Sequence, residues 1–227
     1  MKNILARGGI EFLAVLLGIT GSLWIDDWSK GRSDIQQEYE AYSRLSEALE
    51  QDIINIEEQL VRNDQMVRMI NIMVNDIESV PLDSLSYYID LTQGYVTVEP
   101  QFSNYEALKN TGRLYKISDF DLLQKIIDLY DKKYGELDRL MVEDKRAIFM
   151  QDEFFIQNYA MKPASQWTTL KDIKSDHIRI KSDLVYMNYL VFMYKVKMQI
   201  NDRWTKLIYE IQIVKNEIDV KIKTRNR

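Results

Sequence analysis

Three tracts of this chain place an apolar residue at alternating steps of four and three, and that pattern commits most of its length to helices that must pack on one another. From Ile35 the steps land on Tyr39, Tyr42, Ser46, Leu49, Ile53, Ile56, Leu60, Asn63, Val67, Ile70, Val74 and Ile77. A second series takes Leu123, Ile127, Tyr130, Tyr134, Leu137, Met141, Asp144, Ile148, Gln151 and Phe155. A third takes Tyr186, Leu190, Met193, Lys197, Ile200, Trp204, Leu207, Ile211, Val214 and Ile218. A single apolar stripe cannot bury itself, so three of them predict an all-α chain folded as an elongated antiparallel bundle of three long helices. Each helix should be about 50–65 Å long. The polar members of the series, Ser46, Asn63, Asp144 and Lys197, read as residues that set register.

Punctuation agrees with this division. The three prolines, Pro81, Pro100 and Pro163, all fall between tracts, where a residue that breaks helices does no harm. With only 8 glycines and 29% charged residues, the composition disfavours a loop-rich or all-β domain. Gly135, inside the second tract, is expected to mark a bend.

Ahead of the first tract, Gly8 to Ile25 carries a single charge, Glu11, in a run long enough to span about 27 Å of hydrocarbon. Lys2 and Arg7 precede it, Asp26 and Asp27 follow, and Trp24 and Trp28 would meet at the far membrane interface. Residues 1–27 therefore read as a leader and transmembrane anchor, and 28–227 as an extramembrane bundle. The basic leader predicts a cytoplasmic N-terminus and a periplasmic bundle in a bacterial inner membrane; Lys30 and Arg32 weigh against that orientation. A cleaved signal peptide is the rival reading, but no clear cleavage site ends the run. On a helix Arg7, Glu11, Ala14, Gly18 and Ser22 share one face. That face is expected to pack against a second copy or another membrane protein, with Glu11 paired to Arg7.

The irregular stretch 79–118 is expected to form the membrane-distal tip. Within it Asp83 to Leu91 reads as a short helix, and "GYVTVEP" as extended. Ser103 and Glu106 have capping-box spacing, Gly112 suits a left-handed helix end, and Ser118 is placed to cap the second tract. Its aromatic surplus of Tyr87, Tyr88, Tyr95, Phe102 and Tyr105 either plugs the open bundle end or recognises a protein partner. A second connector, with Trp167 and the cations Lys171, Lys174, Arg179 and Lys181, would return near the membrane, where a solvated turn is the more common reading and contact with lipid headgroups the alternative.

Residues 8–28 resemble the N-terminal anchor of a family of uncharacterised single-pass bacterial membrane proteins. That family carries a glutamate after a glycine near the start of the anchor, here Glu11, and a polar pair and tryptophan at its end, here Asp26, Asp27 and Trp28. The likeness extends to "FSNYEALKNTGRL", with Tyr105, Leu108 and Gly112 at the family's tyrosine, leucine and glycine positions. The family's usual asparagine pair is replaced by aspartates. The resemblance implies a topology and no activity.

No catalytic constellation can be assembled. Cysteine is absent, and a single histidine, His177, excludes the paired Glu-x-x-His motifs of a di-iron bundle. Phosphate-binding and nucleophile motifs are missing, so no cofactor or metal is expected. A net charge of -5 with interspersed signs argues against nucleic acid. The sequence points to a non-enzymatic scaffold anchored in the bilayer, oligomeric or part of a membrane complex. A sensor-like or channel-associated subunit, coupling the bundle tip to the membrane helix, is the alternative.

Overall fold

The computed structural model describes the backbone of residues 2–163, 168–170 and 173–225, and the side chains of 15–161, 170 and 175–224. Helix α1 (Lys2–Asn75) is continuous through the apolar stretch and the whole first tract, a rod of about 110 Å. The short 3-10 turn Ile77–Ser79 and helix α2 (Leu82–Thr92) follow, then an extended run, α3 (Phe102–Asn110) and a second 3-10 turn, Arg113–Lys116. Helix α4 (Phe120–Asp128) passes through a π-helical turn, Leu129–Lys133, into α5 (Tyr134–Asn158). A two-stranded antiparallel ribbon, β1 (Met161–Pro163) and β2 (Thr168–Leu170), pairs Met161 with Leu170. Helices α6 (Ile173–Lys181) and α7 (Leu184–Arg225) complete the chain. Among the described residues the regular structure is helical apart from that ribbon.

The heptad series predicts the packing seam closely. Every third-tract position from Tyr186 to Ile218 is buried on α7, Lys197 included. Helices α1 and α7 run antiparallel, with Ser46 donating to Asp219 (2.5 Å) near one end and Asn63 to Asn201 (2.8 Å) further along. The core divides in two. One cluster holds Leu45, Ile56, Leu137, Ile200 and Trp204, while the other holds Ile70, Met73, Phe155, Tyr186 and Leu190.

Where the expectation fails is the path of the connector. Only the part around α2 sits at the end remote from the N-terminus. The rest, expected at the tip with residues 79–118, runs back along the bundle as a further layer. Ser118 donates to Glu38 through its amide (2.7 Å) and hydroxyl (2.8 Å), and Lys116 reaches Asp34 at 3.1 Å. The second long helix thus starts beside residue 38 and travels away from the N-terminus, parallel to α1. The second connector, expected near the N-terminal end, consequently lies at the remote one: Lys181 donates to the Val80 carbonyl (2.8 Å) and Arg179 to that of Asn158 (3.1 Å). Trp167, Lys171 and Lys174 fall outside the described side chains.

Two caps also differ by a residue or two. Helix α3 starts at Phe102, so Ser103 lies inside it, and its N-cap Gln101 makes no side-chain cap. Asp119, not Ser118, caps α4 by accepting from the Leu122 amide, because Ser118 is spent on Glu38. The irregularity expected at Gly135 is the π turn just before it, and an added Cβ at Gly135 would meet nothing.

Gly112 does end α3 in the left-handed region, at φ 72. A valine there would crowd nothing, yet its backbone would be held where β-branched residues are strained. Gly112→Val should lower stability by about 1–2 kcal/mol, read as a lower urea midpoint with unchanged slope.

Candidate functional site

Two regions stand out, and they sit at different depths. The first is the free-standing start of α1. Full burial on α1 begins at Ala41 and Tyr42, the connector partly covers the helix around Asp34 to Glu40, and from Val15 to Ser33 every described residue but Gly21 is exposed. Val15, Leu16 and Leu17 are all exposed, and three consecutive residues point to three sides of a helix, so no side of this segment is covered. Ile19, Leu23, Trp24, Ile25 and Trp28 continue the exposed apolar surface. Its few hydroxyls are satisfied within the helix: Thr20 donates to the Leu16 carbonyl and Ser22 to that of Ile19, each at 2.8 Å. That arrangement leaves no polar group asking for water. Added Cβ atoms at Gly18 and Gly21 would meet nothing within 4 Å, so the small residues form an open face.

Polarity returns abruptly where the apolar run stops. Lys30 pairs with Asp26 at 2.5 Å, and the Arg32 guanidinium lies 4.8 Å above the Trp28 ring. Trp24 and Trp28, both more than half exposed, stand one turn apart at that boundary. Of the proposed packing face, Gly18 and Ser22 are in this bare segment; Arg7, Glu11 and Ala14 lie outside the described side chains. Among the described residues no helix is long and apolar enough to cross a membrane.

The second region is a buried polar layer at the junction of the two apolar clusters. Lys197 on α7 and Asp144 on α5 form an ion pair at 2.8 Å, with side chains 0% and 1% exposed. Lys197 Nζ also donates to the Gly94 carbonyl (2.8 Å), and Asp144 Oδ2 also accepts the Val96 amide (3.0 Å). Asn63 on α1 donates to the Lys197 carbonyl at 2.8 Å. Burial pushes the Lys197 ammonium below the ordinary lysine value, against the pull of Asp144. Further along the connector, Asp52 accepts the Gln101 amide (2.9 Å) and the Tyr134 hydroxyl (2.6 Å). Side chains from all three long helices thus hold the extended connector, which has no strand partner of its own.

The connector aromatics divide between core and surface. Tyr105 and Leu108 are buried, and Tyr105 stacks on Tyr130 at 4.3 Å while its hydroxyl donates to Asp131. Phe102 packs edge-on to Tyr134 at 5.5 Å. Tyr87 and Tyr95 are exposed, and Tyr88 lies partly buried beside Tyr87. Tyr95 and Phe102 border an open groove of about 670 Å³ shared with Met141, Val142 and Lys145. His177, read from the sequence as part of a polar connector, is fully buried, with Nε2 2.9 Å from Ser86 Oγ. Asp52 was missed because it lies off the heptad seam, on a flanking stripe with Leu45 and Ala48.

Comparison with known protein families, curated proteins and solved structures finds no match to this chain.

The ion pair makes a sharp prediction. Lys197→Met strands a buried carboxylate and should cost about 3–5 kcal/mol, whereas adding Asp144→Leu should restore most of the loss; urea unfolding of the two variants reads the difference. Asp52 provides a pH test. Burial holds its carboxyl above the ordinary 3.8, partly offset by the bonds from Tyr134 and Gln101. Between that value and the raised one the folded chain binds more protons than the unfolded, so this group's contribution falls as pH rises. Asp52→Asn should therefore gain stability relative to the parent as pH climbs through that window, and a difference independent of pH would contradict the assignment.

Proposed function

We propose that this chain is a membrane-anchored helical scaffold, held in the bilayer by the first part of α1 and presenting its bundle as an interaction surface. The observation that carries the reading is the apolar surface of α1 from Val15 to Ile25, exposed all round the helix. Leaving so much apolar surface in water is costly, at roughly 25 cal/mol for each Å². A lipid environment removes that cost without demanding a complementary protein groove on every side. The abrupt change at Asp26 to Arg32, with two exposed tryptophans beside it, suits a membrane–water boundary. In this reading the N-terminus is cytoplasmic, the bundle periplasmic in a bacterial inner membrane, and the open face at Gly18 and Ser22 meets a second copy or another membrane protein. The resemblance of residues 8–28 to anchors of single-pass bacterial proteins points the same way.

The sensor-like alternative has one specific observation in its favour. Helix α1 is uninterrupted from Lys2 to Asn75, so a displacement at the far end of the bundle has a rigid element through which to reach the anchor.

Membrane fractionation tests the proposal. The full chain should pellet with membranes and resist alkaline carbonate, while a chain beginning at Ser33 should be soluble and keep a cooperative unfolding transition. Full-length protein recovered in the soluble fraction would overturn the anchor.

A further inference from the structure

Val142, Phe149 and Ile156 stand seven residues apart on α5, 67%, 55% and 72% exposed, on the side of the helix turned away from its buried seam. Seven residues make two turns, so the three form a stripe about 21 Å long on the outer surface. Single exposed apolar residues are ordinary, but a stripe at heptad spacing is what a second helix packs against.

The charges beside the stripe are sorted. Lys145 and Asp152 lie along one flank, Arg146 and Glu153 along the other, so both cations precede Phe149 and both anions follow it. Within the chain they are little used. Among the described residues Lys145, Arg146 and Asp152 enter no ion pair. The Lys145 ammonium lies 5.5 Å from the centre of the Phe149 ring, and Glu153 accepts only from Gln157, a turn away at 3.0 Å. Partial burial, with no cation to offset it, holds the Asp152 carboxyl above its ordinary value.

This pattern complements itself when turned end for end. Two α5 helices laid antiparallel, with Phe149 against Phe149, bring Val142 opposite Ile156, Lys145 opposite Asp152 and Arg146 opposite Glu153, and each of these contacts occurs twice. A parallel pair would set Lys145 beside Arg146 and Asp152 beside Glu153. An antiparallel pair slipped by one heptad would oppose Lys145 to Lys145 or Asp152 to Asp152. Like charges so placed repel. One alignment alone satisfies both the apolar stripe and the charges on its flanks.

We propose that the outer face of α5 is the seam of an antiparallel two-fold contact with a second copy of this chain, centred on Phe149. Three apolar residues from each copy make a small interface, which suits a transient contact. It is distinct from the contact proposed at Gly18 and Ser22, because it points the two α1 helices in opposite directions, and it holds whether or not α1 enters a bilayer. Where α1 is anchored, such a pair joins chains standing on facing membrane surfaces.

The full chain has no cysteine of its own, so Val142→Cys and Ile156→Cys, made separately, each carry one thiol. Purified in mild detergent and oxidised together, they should give a disulfide-linked dimer, whereas Val142→Cys alone should not. Adding Lys145→Glu/Arg146→Glu to both chains should lower the yield about tenfold or more. With Lys145→Glu/Arg146→Glu in the Val142→Cys chain and Asp152→Lys/Glu153→Lys in the Ile156→Cys chain, the yield should return, which misfolded variants could not achieve. Pairing of copies through Gly18 and Ser22 does not produce this pattern. No linked dimer in the mixture, equally ready linkage of Val142→Cys to itself, or a yield that ignores the charge changes would overturn the proposal.

Discussion

The interaction on which the architecture depends is the contact of Lys197 with Asp144, a charged pair wholly removed from water at the boundary between two apolar clusters. On both sides of it the helices meet through leucine, isoleucine and aromatic side chains, which tolerate sliding by a heptad at modest cost. The ion pair does not. Moving α5 along α7 would leave an ammonium and a carboxylate buried among hydrocarbon, each costing several kcal/mol. Asn63 adds α1 to the same layer through the Lys197 carbonyl, and the Gly94 carbonyl and Val96 amide add the connector. One polar layer therefore aligns four segments that apolar packing alone would leave free to shift.

That layer also explains how the extended run between α2 and α3 can lie along a bundle of helices. An extended segment against helices needs partners for its backbone polar groups, and no neighbouring strand supplies them. Asp144 and Asp52 accept its amides and Lys197 donates to its carbonyl. The helices thus offer side chains where a sheet would offer a ladder. Once the connector has returned to Glu38, the following helix must start beside the first one's exposed end. The two longest connections then both bend at the remote end.

Much of the bundle was legible in the residues, because helical periodicity is a local signal that burial reinforces. All the third-tract seam positions proved buried, and Ser46, Asn63, Asp144 and Lys197, the polar breaks in the series, turned out to bond with partners across the bundle. Gly112 was readable for the same reason, since a left-handed helix end demands a particular residue type. The connector's course was not readable. "GYVTVEP" looks extended, but its direction is decided by side chains far along the chain, Asp52 and Asp144 among them. The buried role of His177 was hidden likewise, since the residues around it in sequence are polar while its hydrogen-bond partner, Ser86, lies far away in the chain. The segment of α1 from Val15 to Ile25 is legible in both views: apolar on all sides in the sequence, uncovered on all sides in the fold.

The alignment claim is tested most directly by the distance between spin labels at Arg146 on α5 and Gln199 on α7, both on exposed positions flanking the ion pair. The parent protein should give one narrow distance distribution. Replacing the pair together, as Lys197→Leu with Asp144→Leu, should keep the protein folded but split or broaden that distribution as other helix alignments become populated. A double variant that retains the single parental distance would contradict the claim that the buried pair sets the register.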